Sequence, residues 1–390
     1  MDAATVALTE GVWAELIGQE RVVATLRRAV AGGRHAMTHA WLVTGPPGSG
    51  RSNAARAFAA ALQCPDGGCG TCRSCTTTLS GAHPDVTLVR TEKLSIGVDE
   101  VRDLVRRAAM TPTLGRYQVL IVEDADRVTE RGADALLKAI EEPAPRTVWL
   151  LCAPSADDVI VTIRSRCRRV ELSTPNERAI AELLQRRDGI DPETAGFAAR
   201  VSQGHIGRAR ALARNPAARE QRDRVLAVPQ RLSSLGECLT AAAALVQSAT
   251  DEAAKVTAEL DARERAALAE ALGMSTKGAK PRSAQASLNA LEDEQKLRAK
   301  RLQRDALDRV LTELTSYYRD VLVLQTGARH ELINTEFAEP LRDLAGRLTP
   351  AATIQRLDAI LACRTALETN VAPLLAMESL MLSLATPGGR

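Results

Sequence analysis

Val22, Val23, Leu26 and Val30 fall on one face of a 3.6-residue repeat and predict an amphipathic helix over residues 20–31. A short apolar run, Ala40 to Val43, reads as a strand, and beyond a glycine-rich turn the alanine-rich stretch Asn53 to Leu62 reads as a helix. Strand, glycine loop and helix open a parallel α/β unit. Val86 to Val89 predicts a second strand and Val98 to Ala109 a helix. Gln118 to Val122 and Thr147 to Cys152 are the continuous runs expected of strands buried on both faces. Between them, Ala133 to Glu142 predicts a helix that stops at Pro143. Val170 to Leu172 supplies a last strand. The alternation implies a parallel sheet covered on both faces over residues 1–172.

From Pro175 onward the strand pattern disappears. Residues 175–188, 192–202 and 206–214 predict a small three-helix unit, with Asp191 capping its second helix and Pro192 at the first position. Beyond Pro216 the pattern is helical to the end, interrupted by a predicted loop from Gly273 to Gln285. Leu307, Val310, Leu311, Leu314, Tyr318, Val321 and Leu322 mark the buried face of a long helix. The last five residues, Thr386 to Arg390, are expected to fray. The expected division is an α/β domain over 1–172, a helical lid over 173–222 and an all-helical domain over 223–390, with no internal repeat.

Composition narrows the choice. Hydrophobic residues at 45% and charged residues at 25% are those of a folded globular chain. Aromatics at 2% leave the core to Ala, Leu and Val and argue against a base-stacking platform. A net charge of +3, from 51 basic and 48 acidic side chains, implies no large nucleic-acid or membrane surface, though a local patch stays open. No uncharged apolar run nears the roughly 18 residues of a membrane helix. The start, MDAATVALTE, lacks the basic and apolar segments of a secretory signal, so the expected compartment is the cytoplasm. The eight cysteines should then form no disulfide framework. Cys152, Cys167, Cys238 and Cys363 are scattered and are expected as buried small hydrophobes.

Chemistry concentrates in four places. Gly45 to Ser52 fits the phosphate-binding pattern G-x-x-x-x-G-K-[ST] except that Arg51 replaces lysine. Gly45, Gly48 and Gly50 would let backbone N–H groups turn around phosphate oxygens, and Ser52 would hold Mg²⁺. The arginine keeps the charge but not the shape, which speaks against productive ATP turnover; a plain glycine turn is the competing interpretation. The strand at 118–122 ends in Glu123-Asp124, the reverse of the usual Asp-Glu order, which displaces each carboxylate by roughly 1.5 Å. Alternatively, Asp124 or Asp126 caps the following turn. Cys64, Cys69, Cys72 and Cys75 have the spacing of a closed tetrahedral Zn²⁺ site; an iron–sulfur cluster and unliganded thiols are the alternatives, and His83 could replace one ligand. Arg164, Arg166, Arg168 and Arg169 crowd into six residues, as a nucleic-acid patch, a guanidinium offered to a neighbouring subunit, or a solvated loop.

Together these residues resemble the delta-prime family of bacterial DNA polymerase III clamp-loader subunits, in the AAA+ superfamily. The resemblance is dense over 13–172. It includes Ile17-Gly18-Gln19, the P-loop, the cysteine insertion, Gly81 to Asp85, Ala135 to Pro143 and Ser165-Arg166-Cys167, with weaker continuations at Gly204 to Ala209, Tyr317 to Asp320 and Asn370 to Leu384. The stretch 273–300 is longer than the family usually carries. The resemblance implies a RecA-like AAA+ domain with a zinc insertion, a helical lid and a collar that assembles into a five-subunit ring with gamma/tau and delta types. It implies a stator that hydrolyses no ATP itself within a loader that places the sliding clamp on primed DNA. It assigns Arg166 as an arginine finger acting in trans, and Arg208 as a looser nucleotide-sensing residue of the lid. The rivals are the ATP-hydrolysing gamma/tau motor, which should keep the P-loop lysine and the Asp-Glu order, and a zinc-dependent DNA-binding module, which needs a basic face and would bind DNA salt-dependently.

Overall fold

The computed structural model of the chain describes residues 10–32, 36–90, 95–271, 282–369 and 371–385. The chain start, most of the expected loop at 273–285 and the last five residues lie outside these. The chain divides into two units, Met1–Asn215 and Pro216–Arg390.

The first unit is built in the order α1 (Glu20–Val30), β1 (Ala40–Thr44), α2 (Arg51–Gln63), α3 (Arg73–Ser80), β2 (Val86–Val89), α4 (Val98–Ala108), β3 (Gln118–Val122), α5 (Glu130–Glu141), β4 (Thr147–Ala153), α6 (Val161–Arg164) and β5 (Arg168–Glu171). Helices α7 (Glu177–Asp188), α8 (Pro192–Ser202) and α9 (Ile206–Arg214) complete it. The five strands form one sheet in the order β2-β3-β4-β1-β5, and every pairing is parallel. Strands β1, β3 and β4 are buried along their whole lengths, as their unbroken apolar runs require. Alternate residues feed two cores. Trp41, Val43, Ile121 and Leu150 pack with α1 and the alanine face of α2, where the Trp41 and Phe58 rings meet edge-on at 5.0 Å. Leu42, Leu120, Trp149 and Leu151 pack on the opposite face with α4 and α5.

Several elements differ from the sequence expectation. Strand β5 starts two residues early, because Arg168 and Arg169 pair with β1 despite their charge. Helix α5 starts at Glu130, capped by Thr129, whose hydroxyl accepts from the Gly132 N–H. Helix α3, inside the cysteine segment, was not expected: its threonines carry no apolar period, and its cap is the Cys72 sulfur. Arg282 to Gln285, expected in the loop, open a helix.

Asp85, the end of the Gly81 to Asp85 motif, is 2% exposed and sits just before β2. Its carboxylate accepts from the N–H groups of Thr113 (2.6 Å), Leu114 (2.7 Å) and Gly115 (2.5 Å). Gln63 grips the same loop from the other side, accepting from Arg116 and Tyr117 N–H and donating to the Tyr117 carbonyl. The loop between α4 and β3 is thus pinned by side chains from two elements. Burial alone would raise the Asp85 pKa, but the three backbone donors outweigh it and hold the carboxyl below its ordinary value.

The second unit is helical: α10 (Pro216–Leu226), α11 (Leu235–Ala271), α12 (Arg282–Thr326), α13 (Ala338–Arg347), α14 (Pro350–Glu368) and α15 (Pro373–Ala385). Tyr317, Tyr318, Leu311 and Leu314 of α12 lie in its core with Cys238, Ile360, Cys363, Met377 and Met381. The expected boundary at 222/223 falls inside α10. The helical pattern is also broken at Gly327 to Asn334, where Asp320, fully buried, accepts from the N–H groups of Ile333 (3.1 Å) and Asn334 (2.7 Å). Arg222, also buried, bonds Glu313 at 3.1 Å and reaches Asn334. The Tyr317 to Asp320 segment therefore combines two core rings with a clip for the following turn.

Asp85→Ala is expected to destabilise the first unit by about 2–4 kcal/mol at pH 7, since it removes the shared acceptor of three part-buried backbone N–H groups. Because the folded-state pKa is depressed, the stabilisation is complete above the ordinary carboxylate value near ~3.9 and is lost as pH falls through the lower folded value. Urea unfolding at pH 7 and pH 3 checks this: the gap between wild type and variant narrows at the lower pH.

Candidate functional site

The P-loop leaves β1 at the carboxyl edge of the sheet. Gly50 adopts a left-handed conformation (φ 95°) as the N-cap of α2. Gly48 is also left-handed (φ 81°), and a Cβ there would lie 2.2 Å from His205 Cγ. His205 is the residue before α9, and the next N–H, of Ile206, donates to the Gly48 carbonyl at 3.2 Å. The start of α9 therefore rests on the P-loop, with Arg208 in its first turn.

The charged side chains of the loop are turned onto the protein itself. Arg51 donates through Nη1 to the Gly45 carbonyl of its own loop. Glu123, at the end of β3, is only 8% exposed in its side chain and is ion-paired at 2.9 Å with Arg56 of α2, with Arg90 at 3.9 Å. Arg56 holds the carboxylate at the place where a metal-binding acid would be needed. Asp124 makes no side-chain cap to the short turn 125–127, so the capping alternative does not hold for it. The Asp126 carboxyl is pushed up by burial, with Arg51 pulling the other way. Ser49 Oγ is buried without a hydrogen-bond partner among the described residues. Backbone features of a phosphate cradle are present, but Arg51, Arg56 and His205 occupy it with internal contacts. Arg51 and Glu123, the charged groups that would face a Mg²⁺-nucleotide, are thus engaged internally, and the Arg56 and His205 contacts have no sequence signature that foretells them.

The four cysteine sulfurs, Cys64, Cys69, Cys72 and Cys75, lie within 4.8 Å of one another, with two separations of 3.7 Å. A Zn–S length of about 2.3 Å gives a tetrahedron with edges of about 3.8 Å, so the set fits a metal ion of that kind. Backbone N–H groups of Cys69, Cys72 and Cys75 point at the preceding cysteine sulfurs at 3.4–3.5 Å. The N–H groups of Thr71 and Cys72 bring the Cys69 thiol down to about 6, while burial pushes Cys75 up. A cation would offset the cost of ionising Cys75. His83 is not in the cluster; its Nδ1 accepts from the Asp85 N–H at 3.2 Å. Of the scattered cysteines, Cys152, Cys238 and Cys363 are buried as expected, and Cys167 only partly.

The four clustered arginines diverge. Arg164 pairs with Asp157 and Arg168 lies over the Trp41 ring at 5.1 Å while donating to the Ala36 carbonyl. Arg169 is exposed. Arg166 pairs with Glu141 at 2.6 Å, at the last residue of α5. Arg166 lies two residues before Arg168, which pairs with Trp41 near the start of β1, whereas Gly45 follows Thr44, which pairs with Glu171. The strand rise between these levels is about 10 Å, so Arg166 and the P-loop emerge at opposite edges of the sheet.

Residues 18–176 match the family described as DNA polymerase III, delta subunit, and residues 264–386 match DNA polymerase III, delta subunit, C terminal. Subunit delta-prime of Pseudomonas aeruginosa is 37% identical over 170 residues, 42% of this chain and 52% of that protein. The chain is similar to the delta-prime subunits of DNA polymerase III. The delta-prime subunit of Escherichia coli is 35% identical over 180 residues, 45% of this chain and 54% of its own. DNA polymerase III subunit gamma/tau of Mycobacterium tuberculosis is 37% identical over 179 residues, 45% of this chain and 31% of its own. The chain thus spans about half, or less, of the length of these relatives. No helix among the described residues is long and apolar enough to cross a membrane.

Arg56→Ala should cost the first unit about 1–3 kcal/mol, because it leaves a buried carboxylate with only a distant neighbour. Adding Glu123→Gln should recover part of that loss, as chemical unfolding of the single and double variants would show.

Proposed function

We propose that this chain is the delta-prime stator of a replicative clamp loader: a subunit that hydrolyses no ATP itself, assembles with gamma/tau- and delta-type subunits in a ring of five, and presents Arg166 to a neighbour's nucleotide. In this reading residues 1–172 are the AAA+ domain, 173–215 the lid and 216–390, which keeps α10 whole, the collar through which the ring assembles. The ring acts on the sliding clamp and primer–template DNA in the cytoplasm. One observation carries the reading: Arg166 and the chain's own P-loop lie at opposite edges of the sheet, so the guanidinium has no role at its own loop. Charge develops on the oxygens of a phosphoryl group in transfer, and an arginine supplied by a neighbour can be worth roughly 10³–10⁵ in rate. The P-loop residues Gly45, Gly48, Gly50, Arg51 and Ser52, the acids Glu123 and Asp124, and Arg208 form a degenerate nucleotide site. Its charges serve internal contacts.

The gamma/tau motor reading is supported by a relative of equal identity over a similar share of the chain. Arg51 and the engagement of Glu123 by Arg56 favour the stator. Zn²⁺ on Cys64, Cys69, Cys72 and Cys75 supplies cross-linking rather than chemistry: four protein ligands leave no open position.

Two outcomes are expected. The purified chain shows no ATPase that Arg51→Ala abolishes, while Arg166→Ala, which still joins the ring, lowers the clamp- and DNA-stimulated ATPase of the assembled loader. Normal clamp loading by the Arg166→Ala loader, or authentic turnover by the chain alone, overturns the stator reading. Separately, metal analysis should find about one zinc per chain, with Cys72→Ser losing zinc and lowering the melting temperature. Iron, or an absence of metal in freshly purified protein, refutes the zinc assignment.

A further inference from the structure

We propose that Glu141 is a positioning residue for the Arg166 finger. The proposal rests on the trans-acting reading of Arg166 given above, and adds to it the group that sets the direction of the guanidinium.

Arg166 is held at three points. Its Nε pairs with Glu141 Oε1 at 2.6 Å, and its Nη1 donates to the Thr162 carbonyl at 2.9 Å and to Ser165 Oγ at 3.1 Å. A guanidinium carries five N–H donors in a fixed plane. Glu141, Thr162 and Ser165 engage Nε and Nη1. The side chain is 41% exposed, so part of its donor set faces solvent while the contacts on Nε and Nη1 fix the plane.

The acid is itself fixed. It ends α5, whose Ile140 carbonyl is bonded to His39 Nε2 at 2.7 Å just ahead of β1. Thr162 and Ser165 belong to α6 and its C-cap. Two segments from different crossovers thus converge on one side chain at the amino-terminal edge of the sheet. The pair is not a stability device: both side chains are about two-fifths exposed, at 41% and 42%. Exposed ion pairs contribute little to folding. Orientation is what such a contact supplies, since a long arginine otherwise samples many rotamers and loses that freedom on docking.

The test uses the assembled loader with its sliding clamp and primed DNA, reading kcat and KM for ATP. The finger-dependent rate is the difference between wild type and Arg166→Ala. Glu141→Ala is expected to remove about two thirds or more of it, the size of freeing one long side chain, through kcat with KM for ATP unchanged. Glu141→Gln, which keeps an acceptor oxygen, should retain more of the rate than Glu141→Ala. The double variant Glu141→Ala/Arg166→Ala should equal Arg166→Ala alone, because a positioning residue has nothing left to position. Glu142→Ala, the adjacent exposed acid, is the control. If Arg166→Ala lowers the rate while Glu141→Ala matches wild type, exceeds it, or adds its loss to that of Arg166→Ala, the positioning role is overturned and the finger stands. If Arg166→Ala itself has no effect, the finger reading fails, and this inference with it.

Discussion

All five strands of the sheet run in the same direction, and the separation of the two charged regions follows from that. Each strand must be followed by a return crossover, so every loop lies at one edge or the other, a strand's length apart. The P-loop follows β1 and Glu123-Asp124 follows β3, both at the carboxyl edge, where open α/β sheets place ligands. Arg166 lies after the return helix α6 and just before β5, at the amino edge, and the end of α5 arrives there for the same reason. A guanidinium at that edge lies a strand's length from the P-loop.

At the carboxyl edge, backbone and side chains tell different histories. Left-handed Gly48 and Gly50 preserve the turn that would cradle phosphate. A buried carboxylate needs a counter-charge, however, and where a nucleotide enzyme uses a metal ion, this chain uses Arg56 on Glu123. Arg51 satisfies a carbonyl of its own loop, and His205 fills the space above Gly48. Arg56 ties α2 to the end of β3, and the Gly48 carbonyl ties the loop to the start of α9.

Most of the sheet was legible in the sequence because strands buried on both faces read as unbroken apolar runs, as at Gln118 to Val122 and Thr147 to Cys152. Strand β5 was misplaced because Arg168 and Arg169 hide it: one charge is carried over the Trp41 ring and the other is exposed. The metal-spaced cysteines and the P-loop glycines were legible because their spacing is local. Arg56, His205 and Glu141 were not, since each acts on a residue 25 or more positions away: Arg56 on Glu123, His205 on Gly48, and Glu141 on Arg166. The break at Gly327 to Asn334 was missed for the same reason, as its organiser, Asp320, lies inside the preceding helix.

The pairs Arg56–Glu123 and Arg166–Glu141 show how burial divides structural from adaptable charge. Glu123 is nearly enclosed, so losing Arg56 would leave an uncompensated charge, and the pair must stay made. Glu141 and Arg166 are wet on both sides, so their contact is cheap to stretch or re-form. In the trans-acting role proposed for Arg166, the side chain needs that second kind of partner. The contact narrows the search for the docked geometry, and water takes over the acid if the arginine moves forward. A buried pair at the same place would hold the guanidinium more firmly and make it less available.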